Sequence, residues 1–183
     1  IQKKVIASVT ESLKADPQFR DDWERLQSIF RNPGLQMVSL TITEKGYRVT
    51  ETDLAGGLSP AFMMGKLTLL LYERYRAGAW PLTLQSMDNC SHNGDKVREA
   101  VWAYASAWER EGLVSAGFLS YVQDPDKISF PWTMIDKITP RPDEKVRELL
   151  VKDGFLDNAI IVTDRQTYTA PFVNAEETEY LVM

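Results

Sequence analysis

Cysteine and histidine are almost missing from this chain of 183 residues: Cys90 and His92 are the single copies of each. One cysteine excludes an internal disulfide and fits a reducing compartment, so a cytoplasmic location is expected. One cysteine and one histidine cannot build the usual zinc site, and no acidic stretch has calcium-loop spacing. An Asp/Glu site for a hard cation stays open on composition and spacing, although no metal site is singled out. Lysine and arginine never cluster, and the net charge is −5, so no nucleic-acid surface is expected. No apolar run reaches the about 20 residues that cross a bilayer, which leaves no expectation of a membrane partner. The start is Ile1-Gln2-Lys3-Lys4, without the pattern of a secretory leader. Opening at Ile, not Met, suggests a processed or excised piece. Neither a G-x-G-x-x-G turn nor a phosphate-binding loop of G-x-x-x-x-G-K type is present.

What remains is ordinary for a globular protein, with 44% hydrophobic and 26% charged residues. Short β-branched runs alternate with helical patterns, which predicts an α/β fold. Strands are expected at 5–9, 37–43, 82–87, 159–163 and 180–183. Phe19, Trp23, Leu26 and Phe30 share one helical face after the cap-like Asp16-Pro17, and Asn32-Pro33-Gly34 ends that helix. Residues 48–58 read as a loop or short excursion. Met63, Leu67, Leu70, Leu71 and Tyr75 mark a second helix after Ser59-Pro60, closed by Gly78. Asn93 is placed to cap a third, with Val97, Val101, Tyr104 and Trp108 on one face and its end at Gly112. Residues 128–139 show no clear period. Pro140-Arg141-Pro142 is the clearest break, followed by a short helix over 143–151. Two regions are therefore expected, 1–140 and 141–183.

Strand–helix–strand spacing of this length favours parallel strands with right-handed crossovers. The loops after strands 37–43 and 82–87, Thr43-Glu44 and Asp88-Asn89, then fall on one carboxyl edge, where open α/β sheets bind ligands. Asp88-Asn89 also suits a plain Asx turn, and Thr43-Glu44-Lys45-Gly46 suits a plain turn with Gly46 at positive φ. The functional alternative for Asn89 is an amide that donates a hydrogen bond to an oxygen gaining negative charge. Asp136 is set among Trp132, Met134, Ile135 and Ile138, so it calls for a partner; Asp136-Lys137 also suits a solvated ion pair. Cys90 has no cationic cluster beside it in sequence, and His92 and Ser91 lack a nucleophile-elbow setting. Neither thiol nor hydroxyl nucleophile is expected.

Three ordered blocks carry a family resemblance. Val38-Ser39-Leu40-Thr41-Ile42-Thr43-Glu44-Lys45-Gly46-Tyr47 resembles a V-S-L-T-I-T-E-x-G-Y block. Ser86-Met87-Asp88-Asn89, followed by Asn93-Gly94, resembles S-C-D-N-x-x-x-N-G. Ser129-Phe130-Pro131 with Met134-Ile135-Asp136-Lys137-Ile138-Thr139-Pro140 resembles F-P-x-x-M-V-D-R-I-T-P. The blocks are similar to those of the polyol-specific long-chain dehydrogenases: mannitol dehydrogenase, fructuronate reductase and tagaturonate reductase. Two positions depart: Met87 stands where Cys is common and Lys137 replaces the usual Arg, losing its bidentate fork.

The resemblance implies a partial Rossmann-type, mostly parallel sheet flanked by helices. It implies the later part of the dinucleotide-binding domain, without the first Gly-rich βα unit and the helical C-terminal domain. It implies NAD or NADP as cofactor, a sugar alcohol or sugar acid as substrate, and interconversion of a polyol or hexonate with its keto form. The base in that family is a Lys in a K-x-x-x-x-N-x-x-H pattern, which this sequence lacks, so the chain alone is expected to be inactive. By resemblance, Asn89 is the catalytic oxyanion-side donor, Asp136 and Lys137 bind substrate, and Thr43, Glu44, Ser86, Asp88 and Asn89 lie along the cofactor. The alternative is a non-catalytic α/β binding or assembly module that keeps the same sheet.

Overall fold

The computed structural model describes residues 5, 8–134, 140–164 and 166–174. They form two compact units, divided between residues 134 and 135.

The first unit holds a three-stranded parallel sheet in the order β1 (Met37–Leu40), β2 (Leu82–Ser86), β3 (Ile128–Ser129). The register pairs Met37 with Thr83 and Leu40 with Ser86, and Leu82 with Ile128. The helices of this unit are α1 (Arg20–Arg31), α2 (Glu51–Ala55), α3 (Met63–Gly78), α4 (Asn93–Arg110) and α5 (Phe118–Gln123). The crossover from β1 to β2 carries α2 and α3; that from β2 to β3 carries α4 and α5. Helix α1 packs on α3, while α4 packs on α3, α5 and β2. Sheet and helices share one core. Leu71, Leu84, Val97, Val101, Tyr104 and Trp108 are wholly buried in it. Each large aliphatic among them contributes roughly 1.5–3 kcal/mol relative to exposure.

Most of the expected helical faces are buried, with Trp23 and Phe30 of α1 and Leu67, Leu70 and Leu71 of α3 inside, but Phe19 and Met63 at their starts are exposed. Boundaries differ for local reasons. Asp16 does not cap α1; it accepts the Gln18 N–H at 2.9 Å and pairs with Lys66 at 2.7 Å, so the helix begins at Arg20. Helix α3 begins at Met63, three residues beyond Pro60. It ends with Ala79 at φ 52, whose N–H returns to Arg74 and Tyr75.

Four expectations are corrected. Strand 5–9 is not formed at its described residues, and Val5 and Val9 are 94% and 80% exposed. A β-branched run becomes a strand only through a ladder, and no described residue pairs with it. Strand 37–43 stops at Leu40 because the chain turns into a single 3-10 turn at Glu44–Tyr47. The loop 48–58 contains α2, capped by the Thr50 hydroxyl accepting from Asp53 N–H at 3.2 Å. Residues 128 and 129, without a readable period, form β3.

The second unit has α6 (Glu144–Lys152), which starts one residue after the expected 143 because Asp143 is its N-cap, its side chain accepting from the Lys145 and Val146 N–H groups. A hairpin follows, with β4 (Ile161–Val162) antiparallel to β5 (Tyr168–Thr169). The strand expected at 159–163 is thus two residues long and antiparallel, and 180–183 lies outside the described residues.

Candidate active site

Parallel pairing of β1 with β2 brings both polar loops to the carboxyl edge, joined by Met87 N–H donating to Leu40 at 2.8 Å. Thr43 and Glu44 are exposed there, Glu44 opening the 3-10 turn. That turn reverses the chain so that Tyr47, buried, reaches under β2. Its hydroxyl shares a hydrogen bond with Ser86 Oγ at 2.5 Å.

Ser86 is itself fully buried and lies beneath the loop. Its hydroxyl makes a long 3.5 Å contact with Asp88 Oδ1, and its carbonyl accepts from the Thr133 hydroxyl. Asp88 Oδ1 accepts the Cys90 N–H at 3.1 Å, the Asx turn that residue types alone suggest. The other carboxylate oxygen, Oδ2, is buried with no partner among the described residues. Burial raises the Asp88 carboxyl, but the Tyr47 hydroxyl dipole and the Cys90 amide outweigh it, holding it below the usual carboxylate value. Tyr47 moves the other way: burial, then the Asp88 charge, push its hydroxyl far up, so it stays a neutral donor. Asn89 sits exposed at the tip of this turn.

Helix α4 begins at the far side of the turn, with His92 at φ 54 as its N-cap. Asn93 therefore does not cap; it is buried and bonds sideways to Asp88 and Thr133. His92 stacks on Trp132 with ring centroids 4.1 Å apart. Lys96, one turn into α4, pairs with Glu44 at 3.5 Å. Burial lowers the Lys96 ammonium, but Cys90 and Glu44 together outweigh it and raise it above its ordinary value. A cation thus stands beside Cys90 although none does in sequence; only the helical offset from residue 90 to 96 could have shown it. Tyr47 and Thr133 also lay within the motif blocks without an assigned role. Asp136 and Lys137 lie outside the described residues.

Among the described residues no group of His, Cys, Asp and Glu is arranged to hold a metal ion, and no helix is long and apolar enough to cross a membrane. A parallel sheet flanked by helices, with its polar loops gathered at the carboxyl edge, is a Rossmann-type arrangement. The family model described as the mannitol dehydrogenase Rossmann domain matches residues 2–160. The chain belongs to the mannitol dehydrogenase family.

Thermotoga maritima D-mannonate oxidoreductase is 46% identical over 195 aligned positions, covering all of this chain and 35% of that protein. Ralstonia nicotianae D-arabinitol 4-dehydrogenase is 39% identical over 63% of this chain and 26% of its own. The Pseudomonas fluorescens mannitol 2-dehydrogenase structure, a ternary complex with NAD and D-mannitol, superposes with a TM-score of 0.63. It is 28% identical and covers 93% of this chain and 34% of that one. The chain thus spans roughly a third of the length of these relatives.

Proposed function

We propose that this chain supplies the carboxyl-edge half of the active site in a cytoplasmic NAD(P)-dependent oxidoreductase. The reaction interconverts a polyol or hexonate, of mannitol, mannonate or altronate type, with its keto form, as in fructuronate or tagaturonate reduction. One observation carries this reading: an exposed Asn89 on a turn that Tyr47, Ser86 and Asp88 hold rigidly at the carboxyl end of a parallel strand.

The residues suit a dinucleotide. Thr43 and Glu44 follow the end of β1, and Asp88 offers a carboxylate oxygen without a partner among the described residues, available to accept from a ligand hydroxyl. Ser86 contributes from below, by holding Tyr47 and Asp88. A bound nicotinamide cofactor would supply the hydride acceptor or donor for the substrate carbon. Asn89 donates its amide hydrogens to the substrate oxygen as charge builds there, without changing its own protonation. Asp88 stays ionised and Tyr47 stays protonated at neutral pH, so neither competes as a base. The proton leaves to a lysine contributed from outside these residues, which makes the chain alone inactive. Asp136 and Lys137 are assigned to the substrate.

The test is turnover by the full-length gene product with NAD+ or NADP+ and D-mannonate, D-mannitol, D-altronate or D-arabinitol. Asn89→Ala is expected to lower kcat by about 10²–10³-fold, with cofactor binding little changed. A wild-type rate in that variant removes Asn89 from the site. Robust turnover by the 183-residue chain itself would refute the external base.

A further inference from the structure

Asn93 is wholly buried at the first position of α4, and every polar atom of its side chain is engaged. Nδ2 donates to the Asp88 carbonyl at 3.0 Å, and to Thr133 Oγ1 at 2.8 Å and Thr133 O at 3.1 Å. Oδ1 accepts from Gly94 N–H at 2.9 Å and Thr133 N–H at 3.0 Å. The orientation is fixed by chemistry: a flipped amide would set its oxygen against two carbonyls and its NH2 against two N–H groups. The Thr133 hydroxyl then has one proton left, and it gives this to the Ser86 carbonyl. Asn93 and Thr133 therefore tie together the end of β2, the turn after it and the segment beyond β3.

Gly94 makes this possible. A Cβ there would lie 2.4 Å from the Phe130 carbonyl oxygen and 2.6 Å from that of Pro131. The 130–133 segment crosses the start of α4 at a distance only glycine permits. Asn93 and Gly94 thus have separate duties, one bonding to the segment and one making room for it.

The Asp88 carbonyl that Asn93 holds belongs to the same planar peptide unit as the Asn89 nitrogen. Fixing that plane fixes the N–Cα bond of Asn89, the axis about which its side chain leaves the turn. We propose that Asn93 is a positioning residue, locked by Thr133, which aims Asn89 at the reacting oxygen without touching substrate. This rests on the role assigned to Asn89 above. A packing role alone would lower stability without depending on Asn89; aiming depends on it wholly.

A double-mutant cycle in the full-length gene product separates the two, using whichever of D-mannonate, D-mannitol or D-arabinitol the wild type oxidises. Asn93→Ala is expected to lower kcat on the order of 10²-fold, the scale of a misplaced reacting group, with the KM for NAD(P)+ little changed. Added to Asn89→Ala, it should cost almost nothing more. Thr133→Ser should retain the rate and Thr133→Val should lose it. Where Asn93→Ala does not fold, Thr133→Val with and without Asn89→Ala runs the same cycle, with Tm measured for each. Effects of Asn93 and Asn89 that multiply independently overturn the positioning role while leaving Asn89 in place. An Asn89→Ala enzyme of full activity overturns both readings.

Discussion

The two ends of β2 are held by buried polar side chains that work in opposite ways. At the amino end, Arg74 of α3 is completely buried and has no carboxylate partner among the described residues. Its five N–H groups meet five backbone carbonyls, of Trp80, Phe30, Asn32, Leu35 and Pro81, at 2.7–2.9 Å. That cage joins the end of α1, the approach to β1 and the start of β2, and every donor is used. At the carboxyl end, Asn93 and Thr133 are equally saturated, yet the turn they support leaves Asp88 Oδ2 without a partner among the described residues and Asn89 exposed. Where every polar group is satisfied internally, the chain builds scaffold. Where supports are saturated but the tip is open, it can meet a ligand.

The sharpest way to break this contrast is Arg74→Met. It removes one cation and leaves five carbonyls without donors. The expected loss is about 3–5 kcal/mol or failure to fold, since stranding a buried polar network on one side costs on that scale. A urea midpoint near wild type would show that the cage is dispensable. Arg74→Lys keeps charge but not the fork, and should fall between the two.

Gly94→Ala strikes the opposite end. Overpacking against the Phe130 and Pro131 carbonyls is expected to cost about 1–3 kcal/mol and to lower turnover in the full-length enzyme. Unchanged thermal stability would mean that the 130–133 segment shifts freely, and the saturated clamp would lose its meaning.

The smallest effect is alkaline. Burial pushes the Tyr121 hydroxyl, which donates to Trp80 at the amino end, up to about 12, although Arg74 opposes it. Burial raises Tyr47 at the carboxyl end further. In the unfolded chain both ionise near pH 10, so above that the unfolded state holds fewer protons than the folded one. Stability contributed by both is present below about pH 10 and declines as pH rises toward the folded values. Urea midpoints from pH 9 to 12 should fall, and less steeply in Tyr121→Phe and in Tyr47→Phe. An identical slope in both variants would take tyrosine out of the explanation. Asp88 acts at the other extreme: its stabilising share is present above the ordinary carboxylate range and is lost as pH drops through its lowered value.

Much of the amino-acid pattern can be read directly. The 3.6-residue spacing of Leu67, Leu70 and Leu71, and of Val97, Val101 and Tyr104, gives α3 and α4 because apolar burial drives both. β2 alternates buried and half-buried residues as a paired strand does. The meeting of Thr43-Glu44 with Asp88-Asn89 at one edge follows from parallel pairing alone. Arg74 was invisible, since an arginine on a helix reads as a solvated charge until the carbonyls around it are known. β3 was invisible because two residues carry no period, and strand 5–9 was overread because propensity does not supply a ladder partner. Thr133 and Tyr47 stand in the sequence beside recognisable motifs. Their bonds to Asn93 and Ser86 span 40 and 39 positions, which no local pattern encodes.

Helix α4 carries the supports of the turn on its first residues and, along its length, the wholly buried Val97, Val101, Tyr104, Ala105 and Trp108. Tyr104 also fastens α2 by donating to Asp53. Amide exchange in such a helix requires opening the core itself, so the floor of the turn is expected to exchange its hydrogens only on the timescale of global unfolding. Its tip does not share that protection. A ligand arriving at this edge would meet a buried, fully bonded foundation beneath the exposed side chains of Thr43, Glu44 and Asn89, so discrimination between similar ligands falls to those side chains and not to the floor.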